Sequence, residues 1–236
     1  LQARHPQSTD LVNQRVNLLI GGRGQVEEAG RYLDALPDPL QPALREARSN
    51  VAGYRREWDA TIASLKDYPG EVLSLPIFHY TKDLALGRLY AAKGENETAR
   101  TYLQAYTDEF EGQPSGSVSG NGFRLANLAV AKVLLGETET AVELARQSRA
   151  LMPLEHDWMH GGFFYRSESY VLARAGQRDL ALEQIAARLD QPGGYSRWDL
   201  YLSPDWDFFR DDPRFNELVR PDDVEPEPFG RLGDGT

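Results

Sequence analysis

A glycine followed five residues later by an alanine recurs four times in this chain, as Gly24/Ala29, Gly94/Ala99, Gly136/Ala141 and Gly176/Ala181. Each pair is flanked by apolar residues at helical spacing, as in LALGRLYAAKGENETARTYLQAY and LANLAVAKVLLGETETAVELARQ. The two residue types have separate physical reasons. Glycine adopts the left-handed conformation that ends a helix without a Cβ penalty, and alanine lets the next helix approach closely. Asn96, Thr138 and Asp179 stand just past their glycines, where a polar side chain can cap the second helix. Each unit therefore reads as helix, tight turn, helix. A lone Gly-x-x-x-x-Ala is coincidence in an alanine-rich chain. Four with matching flanks specify helical hairpins, each of which buries its apolar stripe only by stacking on a neighbour.

A degenerate unit fits between the first and second of these pairs, with Ala60 in the alanine role, Arg55 where glycine is expected, and helices over 42–54 and 58–65. The units then run about 9–37, 41–67, 76–111, 120–153 and 156–192. Their alanines are spaced about 31 and then about 40 residues apart, against about 34 for an ideal tetratricopeptide repeat. Leu86, Gly87, Tyr90, Gly94 and Ala99 of the third unit, with Pro153 closing the fourth, resemble the tetratricopeptide repeat family, and the resemblance covers roughly 9–192. It weakens in the second unit and in the fifth, where Glu168 and Ser169 replace the usual apolar and small residues. The resemblance implies an all-α fold, a right-handed α/α superhelix in which about five hairpins form a solenoid with a C-terminal capping helix.

The stretch from 112 to 122, GQPSGSVSGNG, is rich in Gly and Ser and reads as a mobile surface loop. After the last hairpin, Asp211 or Asp212 can cap a short helix opening at Pro213, with Phe209, Phe215 and Leu218 packing on the open end. The domain is therefore expected over 1–220, with its cap at 203–220 and an acidic, Pro- and Gly-rich tail at 221–236. Asp212, Pro213, Arg214 and Phe215, followed by Leu218, resemble the end of repeat regions in bacterial multidomain regulators. In that family the repeats follow a winged-helix domain, a kinase or a nucleotide cyclase, which implies an interaction or sensory module.

A net charge of −10 over 236 residues, with no clustered Lys and Arg, argues against a nucleic-acid surface. The longest apolar runs, such as 125–135, fall short of the roughly 20 residues that span a bilayer. With no cysteine the chain has neither disulfide nor thiolate, which suits cytoplasm and periplasm equally. It opens at Leu1 with no basic-plus-apolar leader, so it reads as a mature chain or as a soluble piece of something larger, including a membrane-anchored protein.

For chemistry, His156 and His160 in EHDWMHGG would share one helix face, a spacing that can hold a divalent metal. No glutamate of the zinc-protease pattern lies between them and no third ligand is evident. His5 and His79 stand alone, and no nucleophile elbow, phosphate loop or dinucleotide fingerprint occurs. The expectation is no enzyme and no cofactor, with a metal-dependent hydrolase on the two histidines as the least favoured reading.

In this repeat architecture the first helix of each hairpin lines the concave surface. Register with the glycines selects Arg45, Arg88, Phe123, Asn127, Phe163, Arg166, Tyr170 and Arg174 as the partner-binding groove, with core packing as the competing reading for the three aromatics. Four arginines on one surface of an acidic protein favour an anionic or carboxylate-bearing ligand. Some family members clamp a chaperone's C-terminal carboxylate with Asn and Lys. Here the asparagine-bearing position is occupied by Leu18, Ser49, Arg88, Val130 and Tyr170, so that clamp is not expected. The sequence thus predicts a non-catalytic protein- or peptide-binding or ligand-sensing module of a bacterial regulatory protein or complex. A self-associating structural scaffold, a homo-oligomer, is the alternative.

Overall fold

The computed structural model describes residues 9–37, 44–68, 72–74, 79–114, 116–153, 158–191 and 194–222. These residues are overwhelmingly helical: α1 (Thr9–Arg23), α2 (Val26–Asp34), α3 (Arg45–Tyr54), α4 (Trp58–Lys66), α5 (Lys82–Lys93), α6 (Asn96–Phe110), α7 (Val118–Leu135) and α8 (Thr138–Leu151). Then come α9 (Trp158–Arg174), α10 (Arg178–Arg188), α11 (Arg197–Leu202), a 3₁₀ helix (Pro204–Phe209) and α12 (Pro213–Val219). A short antiparallel ladder, β1 (Val72–Ser74) with β2 (His79–Thr81), pairs Val72 with Thr81 and Ser74 with His79. From α1 to α10 each helix packs on the next, and α5, α7 and α9 also touch in sequence along one side.

The five interhelical turns have one backbone design. Gly24, Arg56, Gly94, Gly136 and Gly176 all adopt positive φ, between 59° and 89°. The following residue donates its N–H back into the helix just ended, as Glu95 does to Tyr90 O and Glu137 to Lys132 O. Its own carbonyl then accepts the N–H of Ala29, Thr61, Ala99, Ala141 or Ala181, each at most 4% exposed. The second unit is therefore offset by one residue from the sequence expectation. Arg56, not Arg55, takes the glycine role, and Thr61, not the exposed Ala60, takes the alanine role. Asn96, Thr138 and Asp179 do not cap. The N-cap residues are Glu95, Glu137 and Gln177, without side-chain caps; their backbone N–H groups donate to the preceding helix and their carbonyls open the next one.

Three further differences from the sequence reading follow from local chemistry. Helix α7 begins at Val118, inside the expected loop, because Ser117 Oγ accepts the Gly120 N–H at 3.0 Å and Gly122 lets the helix approach Phe164. The β1–β2 ladder precedes α5, whose N-cap Thr81 accepts the Leu84 N–H. In the fifth hairpin, Glu168 pairs with Arg149 at 2.7 Å, and the Ser169 hydroxyl lies within hydrogen-bond reach of Tyr165 O and Gln184 Oε1, so a polar network replaces apolar packing.

The core is divided into clusters along the chain, two of which share the partly buried Leu134 and Leu144. Val12, Ile20, Leu33 and Leu44 unite α1 to α3, Leu84, Leu103 and Leu128 unite α5 to α7, and Val171, Ile185, Phe209 and Phe215 unite α9 and α10 with the C-terminal segment. Asp212 caps α12 by accepting the Arg214 N–H at 3.0 Å, and Phe209 and Phe215 are fully buried. Two glycines give opposite stability expectations. A Cβ at Gly87 would lie 2.7 Å from the Leu103 side chain, so Gly87→Ala should cost about 1–3 kcal/mol. A Cβ at Gly53, in α3, meets nothing within 4 Å. Gly53→Ala should therefore stabilise by about 0.4–1 kcal/mol. Urea denaturation of both variants checks the pair, and a neutral Gly87→Ala would contradict the close α5–α6 packing.

Candidate functional site

Helix α9 carries Arg166, Tyr170 and Arg174 at four-residue spacing, hence on one face, and α5 carries Arg88. These four sequence-selected residues converge on one feature, the chain's own C-terminal segment. Arg88 Nη2 pairs with Asp205 Oδ2 at 2.6 Å. The Arg174 guanidinium lies 3.6 Å over the Phe208 ring, and its Nε donates to the Tyr170 hydroxyl at 3.2 Å. Tyr170 is buried edge-on against Trp206 and Phe208, with ring centres 5.6 and 5.8 Å away. The Arg166 charge acts on Asp199, and its carbonyl accepts from the Tyr195 hydroxyl at 3.1 Å.

The other four lie elsewhere. Phe123 and Phe163 belong to a small aromatic core with Phe164, their ring centres 5.1 Å apart, so for them the core reading is the observed one. Asn127 is buried within α7. Arg45 donates to Asp67 O at 2.8 Å, at the opposite end of its hairpin from Tyr54. His156 lies outside the described residues, as does the side chain of His160. Among the described residues no group of three or more His, Asp or Glu assembles as a metal cluster.

Residues that the sequence reading did not select complete the surface. After Tyr195 the chain runs back to the first two hairpins. There Ser196 Oγ donates to Gly21 O, Trp198 covers the Gly24 turn, and the Tyr54 hydroxyl donates to Asp199 Oδ1. The 3₁₀ helix then returns across α3 and α5 to α9. On that path Arg56 holds Asp207 through two parallel bonds, Nε to Oδ2 at 2.8 Å and Nη2 to Oδ1 at 2.7 Å. That fork geometry fits a planar carboxylate. The signal in the sequence is the run DWDFF, residues 205–209, whose acids pair with arginines while Trp206 and Phe209 enter the core and Phe208 lies under Arg174.

Electrostatics give this contact a pH dependence. Burial pushes the Asp199 carboxyl above its ordinary value of 3.8, aided by the nearby Asp205 charge, while the Tyr54 hydrogen bond and Arg166 pull it down. Burial and the Asp199 charge raise Tyr54. Because the folded value of Asp199 exceeds the unfolded one, its contribution to stability is full below 3.8 and is lost as pH rises through the folded value. Asp199→Asn should therefore gain stability relative to the parent as pH rises from the unfolded value to neutrality. Denaturation midpoints across that window test it, and a pH-independent difference would contradict it.

The ion pairs themselves are modest. Arg56/Asp207 and Arg88/Asp205 have side chains 34%/38% and 20%/43% exposed, so each is worth roughly 0–1 kcal/mol. No described helix is long and apolar enough to cross a membrane. Compared with family models, with curated proteins and with solved structures, the chain has no significant match in any of the three.

Proposed function

We propose that the chain is a tetratricopeptide-type array, about five hairpins wound as a right-handed superhelix, that serves as a non-catalytic interaction or ligand-sensing module. It belongs, on this reading, to a bacterial regulatory protein or complex and takes a protein or peptide on its inner face. The five identical turns and the contacts among α5, α7 and α9 support the array. The absence of catalytic motifs in the sequence supports a module without chemistry.

The observation that carries the reading is the convergence of Tyr54, Arg56, Arg88, Tyr170 and Arg174, from three hairpins, on one short acidic and aromatic stretch of polypeptide. A surface that holds one such stretch has the chemistry to hold another: arginine forks for carboxylates and aromatic faces for rings. Affinity capture from source cells tests it, comparing the unmodified chain with Arg88→Glu/Arg174→Glu. The expected result is a protein retained only by the unmodified chain and bound by it after purification. Identical captured sets from both chains would overturn the reading. Sedimentation separates the scaffold alternative, which requires a concentration-dependent dimer insensitive to those substitutions.

A further inference from the structure

We infer that Tyr54, Arg56 and Arg88 form a binding site for an acidic peptide, occupied within the chain by Asp199, Asp207 and Asp205 of its own C-terminal segment. The inference deepens the interaction reading and rests on it.

The three acidic residues sit on one short run of chain, and their three partners sit on the second and third hairpins. The segment's apolar anchors lie elsewhere. Trp206, Phe209 and Phe215 are buried with α9 and α10, at the last hairpin. Trp206 stands between Asp205 and Asp207, so the two sets of contacts separate at the side chains: the two carboxylates can turn from their arginines while Phe209 and Phe215 stay in place. Release of Asp199 also lifts Trp198 from the Gly24 turn, Leu202 from the first core cluster and Leu200 from the cluster of the last hairpin, so α11 moves as a unit. The Arg56 and Arg88 pairs are partly exposed, which leaves both arginines reachable by water and by a competing carboxylate.

The spacing sets the chemistry of the competitor. Asp205 and Asp207 are two residues apart and engage arginines on different hairpins, one of them bidentately. A peptide with Asp or Glu at that spacing, and a hydrogen-bond acceptor for Tyr54, reproduces the contacts. In the closed chain its apparent affinity is reduced by the fraction of molecules that are open. The segment is thus both a template for the ligand and a brake on its binding.

The test uses the full chain and a fluorescein-labelled synthetic peptide with the sequence of residues 199–209, read by anisotropy. Asp205→Asn/Asp207→Asn weakens the internal contacts without changing side-chain size. This variant should bind the peptide at least about tenfold more tightly than the unmodified chain. Adding Arg56→Glu/Arg88→Glu should abolish binding, and a peptide with its acids changed to Asn should bind neither chain. Equal affinity for the two chains, or binding that survives the arginine changes, would overturn the inference.

Hydrogen exchange on the unmodified chain covers a variant that does not fold. Amides of α11 and the 3₁₀ helix should exchange through a smaller opening than those of α7 and α8, and equal protection would overturn the inference. A second copy as occupant gives a concentration-dependent dimer when the unmodified chain, whose segment keeps its acids, is mixed with the Asn variant. A dimer dissolved by the peptide supports the site, and one untouched by it counts against it. If a cellular partner is captured regardless of Arg56 and Arg88 but is lost with Arg174→Glu, the interaction reading survives and this inference alone falls.

Discussion

Replacing Phe209 by alanine is expected to lower the unfolding free energy by about 3–5 kcal/mol, near the upper end for a single core truncation. The ring is fully buried, stacked on Phe215 at 4.9 Å between centres and flanked by Trp206 and Phe208. It belongs to the same cluster as Val171, Leu172, Ala181 and Ile185 of the last hairpin, so its removal leaves a cavity that stiff helices cannot close. The measurement is urea denaturation followed by circular dichroism. A loss below about 1 kcal/mol, as surface substitutions give, would mean that the segment is an appended tail and not part of the core.

The second large effect is expected at Gly24, where two costs combine. Its φ of +69° is left-handed, and a side chain there carries a penalty of roughly 1–2 kcal/mol. A Cβ would also run into the six-membered ring of Trp198, which lies against the turn. Overpacking of that kind adds about 1–3 kcal/mol. Gly24→Ala should therefore cost about 2–4 kcal/mol in the parent and only about 1–2 kcal/mol in a Trp198→Ala background. The difference measures the contact between the first turn and the C-terminal segment. Equal losses in the two backgrounds would mean that the indole does not rest on the turn in solution.

The hairpins were legible because each turn needs a backbone conformation that glycine adopts most easily, and four of the five turns use it. The second turn was misplaced by one residue because Arg56 pays the left-handed cost that glycine avoids. Its guanidinium is held by Asp207, a residue that no local pattern links to it. Tyr170, Arg174, Arg88 and Arg166 could be assigned to one surface from register alone, since helical geometry fixes which side chains share a face. That the acidic and aromatic run 205–209 docks on that surface was not legible. The contacts of the segment with the first three hairpins join residues 117 to 175 positions apart, and α11 has only six residues, too few for a helical period to stand out. Phe123 and Phe163 fall on the same register, yet they turn into an aromatic core, a choice made by Phe164 and Gly122 across the helix pair.

Arrays of stacked hairpins ordinarily gain and lose units with little penalty, because each unit meets only its neighbours. Here the reach from Tyr195 to the Gly21–Gly24 turn and back to α9 makes the last hairpin answerable to the first. Duplicating or deleting a unit would move Gly21, Tyr54 and Arg88 away from Ser196, Asp199 and Asp205 together. The number of hairpins is therefore not a free variable of this chain: the C-terminal segment acts as a ruler set to the distance between its first and last turns.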